Sequence, residues 1–149
     1  MAELKVTKLA ENIWDFNEPN GEGPYVDAYL IVGEKRAALI DALQDGGGIV
    51  GLIREITGLP VDVLITHGHG DHAGKEVKNL IGAGSDIYMN HLDIPVLNGM
   101  FSGGFSASDF KPLENGQKFD IGGTVLEAFA LPGHTPGSML FIDRAHGRI

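Results

Sequence analysis

Four side chains suited to holding a metal ion, His67, His69, Asp71 and His72, fall within six residues of this chain. They stand in the run Thr66-His67-Gly68-His69-Gly70-Asp71-His72-Ala73-Gly74. Imidazole nitrogens and carboxylate oxygens are the donors that a borderline cation such as zinc accepts. The chain has six histidines in 149 residues, and three of them sit in this run. A polar loop with chance histidines is a poor account of that density. No packing role calls for four such side chains at the mouth of a strand.

The elements around the run are expected to position it. Residues 61–65, Val-Asp-Val-Leu-Ile, read as a buried strand. Along extended backbone alternate side chains point the same way, so His67, His69 and Asp71 can leave the strand end on one side. His72 comes one residue later and needs a turn to join them. Gly68 and Gly70 permit tight backbone paths between the donors. After Gly74, Val77, Leu80 and Ile81 alternate with Lys75, Glu76 and Lys78 as in an amphipathic helix. The cluster therefore lies in a strand-to-helix loop, where α/β sheets place their sites.

Elsewhere, strands are expected at residues 13–16 and 25–32, with a hairpin at 33–36 leading into 37–40. Ile49, Leu52, Ile53 and Ile56 have helical spacing, and Gly58 and Pro60 end that helix. A short strand follows at 86–89, and Asn90 can cap a short helix over 91–98. Residues 98–109 are rich in Gly and Ser and carry Phe101 and Phe105. They read equally as a cover over a substrate or as a surface loop held down by two aromatics. Residues 118–121 and 125–131 read as paired strands, 138–143 as another, 144–147 as a turn, and 148–149 as the start of a further strand.

The run matches the His-x-His-x-Asp-His signature of the metallo-β-lactamase superfamily. The segment Leu131-Pro132-Gly133-His134-Thr135-Pro136-Gly137-Ser138 resembles that family's third metal-binding histidine segment. Ala38-Leu39-Ile40-Asp41 resembles its strand ending in an aspartate that orients the histidine loop, and residues 25–32 resemble its early strand. The matches occur in the family's order. The resemblance implies an α/β fold, the layered αββα sandwich. It implies that His67, His69 and His134 bind one ion, and Asp71 and His72 a second. One or two Zn(2+) ions are expected, with other divalent metals as alternatives. It also implies a hydrolase that uses a metal-bound hydroxide on an ester, thioester, lactone or lactam, with Asp71 as the catalytic group that orients the nucleophile. His69 differs from the Glu typical of the flavodiiron relatives, and His72 differs from the lactamase subgroups that carry Arg or Cys ligands.

In one respect the chain departs from the pattern. The family completes its second site with an aspartate in a Gly-Asp segment and a later histidine, and neither position exists here. Asp143 and His146 do not match them and read as turn residues. Residues 1–149 are therefore expected to form one metallo-β-lactamase-like domain, incomplete at the C-terminus: the N-terminal half plus the start of the second. A short protein completed by a second chain is the alternative, with a homo-oligomer among the expected assemblies. A noncatalytic metal-binding or scaffold remnant is the alternative function.

Composition narrows the classes further. Lys and Arg total 11 against 20 Asp and Glu, a formal charge of −9. That opposes nucleic-acid binding, which depends on cations neutralising phosphates, and leaves a small-molecule substrate as the expected partner. The chain contains no cysteine, so disulfides, thiolate ligands and a thiol nucleophile are excluded, and a reducing cytoplasm fits. No signal peptide and no membrane span is expected. Ser138 and Thr135 read as hydrogen-bonding rather than nucleophilic, His91 as a helix-start surface residue, and Trp14 and Tyr25 as core.

Overall fold

The computed structural model describes residues 3–19, 23–45, 47–100 and 104–149. A seven-stranded sheet forms its centre, in strand order β1 to β7. Strands β1 (Lys5–Ala10), β2 (Ile13–Glu18), β3 (Val26–Val32) and β4 (Ala37–Ile40) form an antiparallel meander. The chain then turns to parallel crossovers: α1 (Ile49–Ile56), β5 (Val61–Leu64), α2 (Glu76–Gly82) and β6 (Asp86–Met89). A single 3-10 turn, His91–Asp93, leads into α3 (Ile94–Met100) and the short edge strand β7 (Lys111–Pro112). A second, antiparallel sheet holds β8 (Lys118–Asp120), β9 (Val125–Ala130) and β10 (Met139–Ile142).

The apolar run of β4 explains the layering, because a strand buried on both faces cannot alternate with polar residues. Ala37 and Leu39 pack on the helical side with Ile49, Ile53, Val77 and Leu80. Ala38 and Ile40 face the small sheet with Leu126, Ala128 and Phe141. The described residues form a helical layer, the large sheet and the small sheet, in keeping with the αββα-type architecture expected. Backbone bonds tie the sheets at two corners: Glu34 N–H to Gly122 O at 2.9 Å, and Met139 N–H to Thr66 O at 2.8 Å. A groove of about 420 Å³ opens between them, lined by Ile13, Tyr29, Ile31, Ile40 and Met139 among others. Among the described residues no helix is long and apolar enough to cross a membrane.

Several local expectations need correction. β1 was not foreseen: it is an edge strand whose Val6 and Leu9 are exposed, so no buried face marks its sequence. β7 is too short to carry a pattern. Tyr25 is 62% exposed and does not belong to the core. Phe105 is buried, its backbone held at both N–H and C=O by the Asn98 side chain, so it packs inward rather than covering a site. Phe101 lies outside the described residues.

Candidate metal centre

β5 delivers the histidine run. It lies between β4 and β6, and hydrogen bonds from Asp41 N–H to Leu64 O and from Ile65 N–H to Tyr88 O extend the parallel pairing to the strand's end. Past Ile65 the backbone leaves the sheet, so the histidines stand in a loop rather than on the strand itself. A turn at residues 69–73, with His72 and Ala73 N–H both bonded to His69 O, brings His72 back beside His67. The two rings lie 4.2 Å apart between centroids.

His134 arrives from the other sheet, on the β9–β10 connection. Its Nε2 lies 3.0 Å from His69 Nδ1. Ring centroids stand 4.9 Å apart for His67–His69 and 4.7 Å for both His67–His134 and His69–His134. One nitrogen from each of the three residues lies within 4.8 Å of the other two. His67 is buried, His69 half-buried and His134 exposed, so the group opens to solvent on the His134 side.

Two observations show that this group fits a cation. His67 Nδ1 lies 3.0 Å from Thr66 Oγ1, and its Nε2 is shut off from solvent with no hydrogen-bond partner among the described residues. A buried nitrogen left in that state costs about 1–3 kcal/mol. The His69–His134 separation is also close to the edge of a tetrahedron with zinc–nitrogen bonds of 2.0–2.1 Å, about 3.3 Å. Burial first, and then the neighbouring His72, push the pKa of His67 down to about 4. His67 is therefore a neutral donor at physiological pH.

Asp71 and His72 meet beside this group, with His72 Nε2 3.9 Å from Asp71 Oδ2. His72 is held from behind, its Nδ1 2.7 Å from Asp41 Oδ2. Burial alone would lower the His72 pKa, but the Asp41 hydrogen bond and the charges of Asp41 and Asp71 outweigh it and raise the value. Asp143 and His146 pair with each other at 2.7 Å in the turn after β10, and neither belongs to the His67, His69 and His134 group. His91 is exposed and meets Phe110 O at 3.1 Å.

Asp41 does more than end a strand. It is buried, sits in the left-handed region at φ 64°, and accepts from Thr66 N–H at 2.7 Å and Thr66 Oγ1 at 2.8 Å as well as facing His72. Leu43, two residues on, is also left-handed at φ 61°, a costlier state for a branched side chain. Replacing Asp41 with alanine strips three polar groups of one shared acceptor. We expect a loss of about 2 kcal/mol or more in urea unfolding; an unchanged midpoint would contradict that role.

Two contacts were not foreseen. Gly70 N–H points to Met100 Sδ at 3.2 Å, which sets the thioether over the histidine loop. Asp93, fully buried, touches both histidine loops. Neither has a spacing signal, since each lies 25 or more residues from its partners.

Residues 21–149 match the family model of the metallo-beta-lactamase superfamily. YobT of Bacillus subtilis, described as uncharacterized, is 28% identical over 144 residues, covering 83% of this chain and 59% of the relative. The "Probable polyketide biosynthesis zinc-dependent hydrolase BaeB" of Bacillus velezensis is 32% identical over 84 residues, covering 56% of this chain and 35% of the relative. The chain thus spans less than two thirds of the length of either. Among solved structures, a metallo-beta-lactamase from Pontibacter korlensis superposes with a TM-score of 0.77 at 22% identity, over 96% of this chain and 68% of that one. The layered fold, the order of the motifs and the match over most of the sequence lead to one conclusion: this chain belongs to the metallo-β-lactamase superfamily.

Proposed function

We propose that the chain carries the zinc-binding centre of a hydrolase acting on a small ester, thioester, lactone or lactam. The observation that supports this most is the convergence of His67, His69 and His134, with the His67 Nε2 buried and unpaired inside the group. His67, His69 and His134 would hold one ion, and Asp71 with His72 would contribute to a second. Three imidazoles without a thiolate suit zinc. When bound, the cation supplies Lewis acidity and lowers the pKa of water to about 7.

The chain's own residues supply the rest. Thr66 fixes the His67 ring from one side, and Asp41 fixes His72, so neither donor needs to reorganise. Asp71, about one third exposed, faces both His72 and solvent, placed to orient the attacking water and accept its proton. The exposed His134 side leaves an approach for substrate. The absence of cysteine is consistent with direct attack by water, and the formal charge of −9 favours a neutral or weakly charged substrate over a polyanion.

The test is turnover by the zinc-loaded protein on a panel of an aryl ester, an acyl thioester, a γ-lactone and a β-lactam. We expect hydrolysis of at least one class, lost by about a hundredfold or more on chelation and restored by added zinc. Stoichiometric zinc binding with no turnover of any class would overturn the hydrolase reading and leave a metal-holding module.

A further inference from the structure

Asp93 is not part of the histidine motifs, yet it is their common contact. It is presented by the 3-10 turn that directly follows β6, where its N–H bonds to Asn90 O at 3.0 Å and Asn90 Oδ1 accepts from Leu92 N–H at 3.0 Å. Its side chain is fully buried. Oδ2 accepts from Gly68 N–H at 2.8 Å and from Thr135 Oγ1 at 2.6 Å. Oδ1 accepts from Gly137 N–H at 2.7 Å. Gly68 lies between His67 and His69, and Thr135 follows His134. One carboxylate therefore grips two loops that come from different sheets.

Sterics point the same way. A Cβ on Gly68 would come within 2.5 Å of Asp93 O, and one on Gly137 within 2.8 Å of Asp93 Cγ. Both loops approach Asp93 more closely than any residue but glycine allows. Thr135 is itself braced by Ser138, whose Oγ lies 2.7 Å from Thr135 Oγ1 and accepts from Thr135 N–H at 3.0 Å. Burying a carboxylate is costly unless its oxygens are satisfied. Here three donors satisfy it, and every one of them belongs to a histidine-bearing loop.

We infer that Asp93 is a positioning residue: it locks the His134 loop against the His67–His72 loop and so sets the separation of the metal-binding nitrogens. The inference rests on the metal-centre reading above. It concerns the bracket between loops, and Asp93 itself contacts no ligand nitrogen in this role.

Two measurements on the full chain test it. The first uses metal-free protein and amide hydrogen exchange followed by NMR. In Asp93→Ala the Gly68 and Gly137 amides should exchange at least about tenfold faster than the change seen at Leu64 and Ile87 in the central sheet. Equal acceleration at all four would show only general loosening and would overturn the bracket. The second is zinc affinity by chelator competition. Asp93→Ala should bind zinc about ten- to a hundredfold more weakly, as for other groups that orient ligands. Leu113→Ala, which opens a cavity in the buried core between the two sheets, should stay within about twofold of the parent. Thr135→Val frees the His134 loop alone and should lose about tenfold, while Thr135→Ser, which keeps the hydroxyl, should restore the parent affinity. This pair decides the matter if Asp93→Ala does not fold. Unchanged affinity in Thr135→Val and Asp93→Ala overturns the inference. Absence of zinc binding by the parent would sink the metal-centre reading instead, and the exchange experiment would still judge the bracket.

Discussion

Replacing His67 with alanine should weaken zinc binding by about two to three orders of magnitude. Structural zinc sites with four protein ligands bind with about 10–16 kcal/mol, so one ligand corresponds to about 2.5–4 kcal/mol, and each 1.4 kcal/mol is tenfold. His67 is the member with the strongest case. It is buried, its Nδ1 is engaged by Thr66, and its Nε2 has no hydrogen-bond partner among the described residues. The same loss is expected for His134→Ala, because His134 is the one donor of the group, among the described residues, that comes from the second sheet. His91→Ala and His146→Ala should leave the affinity unchanged, since the rings of both are engaged elsewhere. Zinc should also raise the melting temperature of the parent but not of His67→Ala, because a ligand stabilises only the state that binds it. Calorimetric titration and thermal melts give both readouts. Equal affinity in His67→Ala and the parent would remove the cluster from consideration as a metal site.

Gly74→Ala should be among the most damaging single methyl additions at the described glycines. An added Cβ would stand 2.0 Å from Gln44 O and 2.3 Å from Leu43 O, both backbone atoms that cannot swing aside. Those carbonyls also accept from Gly74 and Lys75 N–H at 2.9 Å, so relieving the clash breaks the bonds that join the two loops. Leu43 already occupies a strained left-handed conformation. Overpacking of this kind costs about 3 kcal/mol or more, which for a domain of this size lowers the melting temperature by about 6–12 °C. Gly51→Ala is the matched control. Gly51 lies inside α1 with nothing within 4 Å of the new methyl. Helix propensity should make that change stabilising by roughly 0.5–1 kcal/mol. Thermal melts showing the two substitutions alike would mean that the approach of residues 43–44 to Gly74 is not a constraint on folding.

The histidine run was legible because its information is local. Four donor residues at fixed spacing after an apolar strand need no long-range knowledge, and the strand and the following helix were recognisable from periodicity. His134 and Asp41 were found only through family resemblance: a histidine in a Pro/Gly-rich turn and an aspartate ending a strand carry no spacing signal of their own. Asp93 was missed for the same physical reason taken further. It looks like an ordinary residue in the first turn of a short helix, and its partners lie 25, 42 and 44 positions away. β1 and β7 were missed because edge strands bury little, so their sequences carry no alternation to read. The layering of the fold was expected from the family resemblance; the structure shows its physical basis in β4, whose four apolar residues are covered on both sides.

The contact between His69 and His134 joins positions 65 residues apart and belongs to both sheets at once. In a chain with no cysteine, an ion shared by those rings would act as a cross-link. Closing a loop of that length by a fixed bond removes about 4 kcal/mol worth of freedom from the unfolded chain, by the loop-entropy account of disulfides. The ion would then staple the small sheet to the large one as well as serve chemistry. Chelation should accordingly soften the docking of β8, β9 and β10 before it disturbs the central strands, so that loss of metal and parting of the sheets become one event.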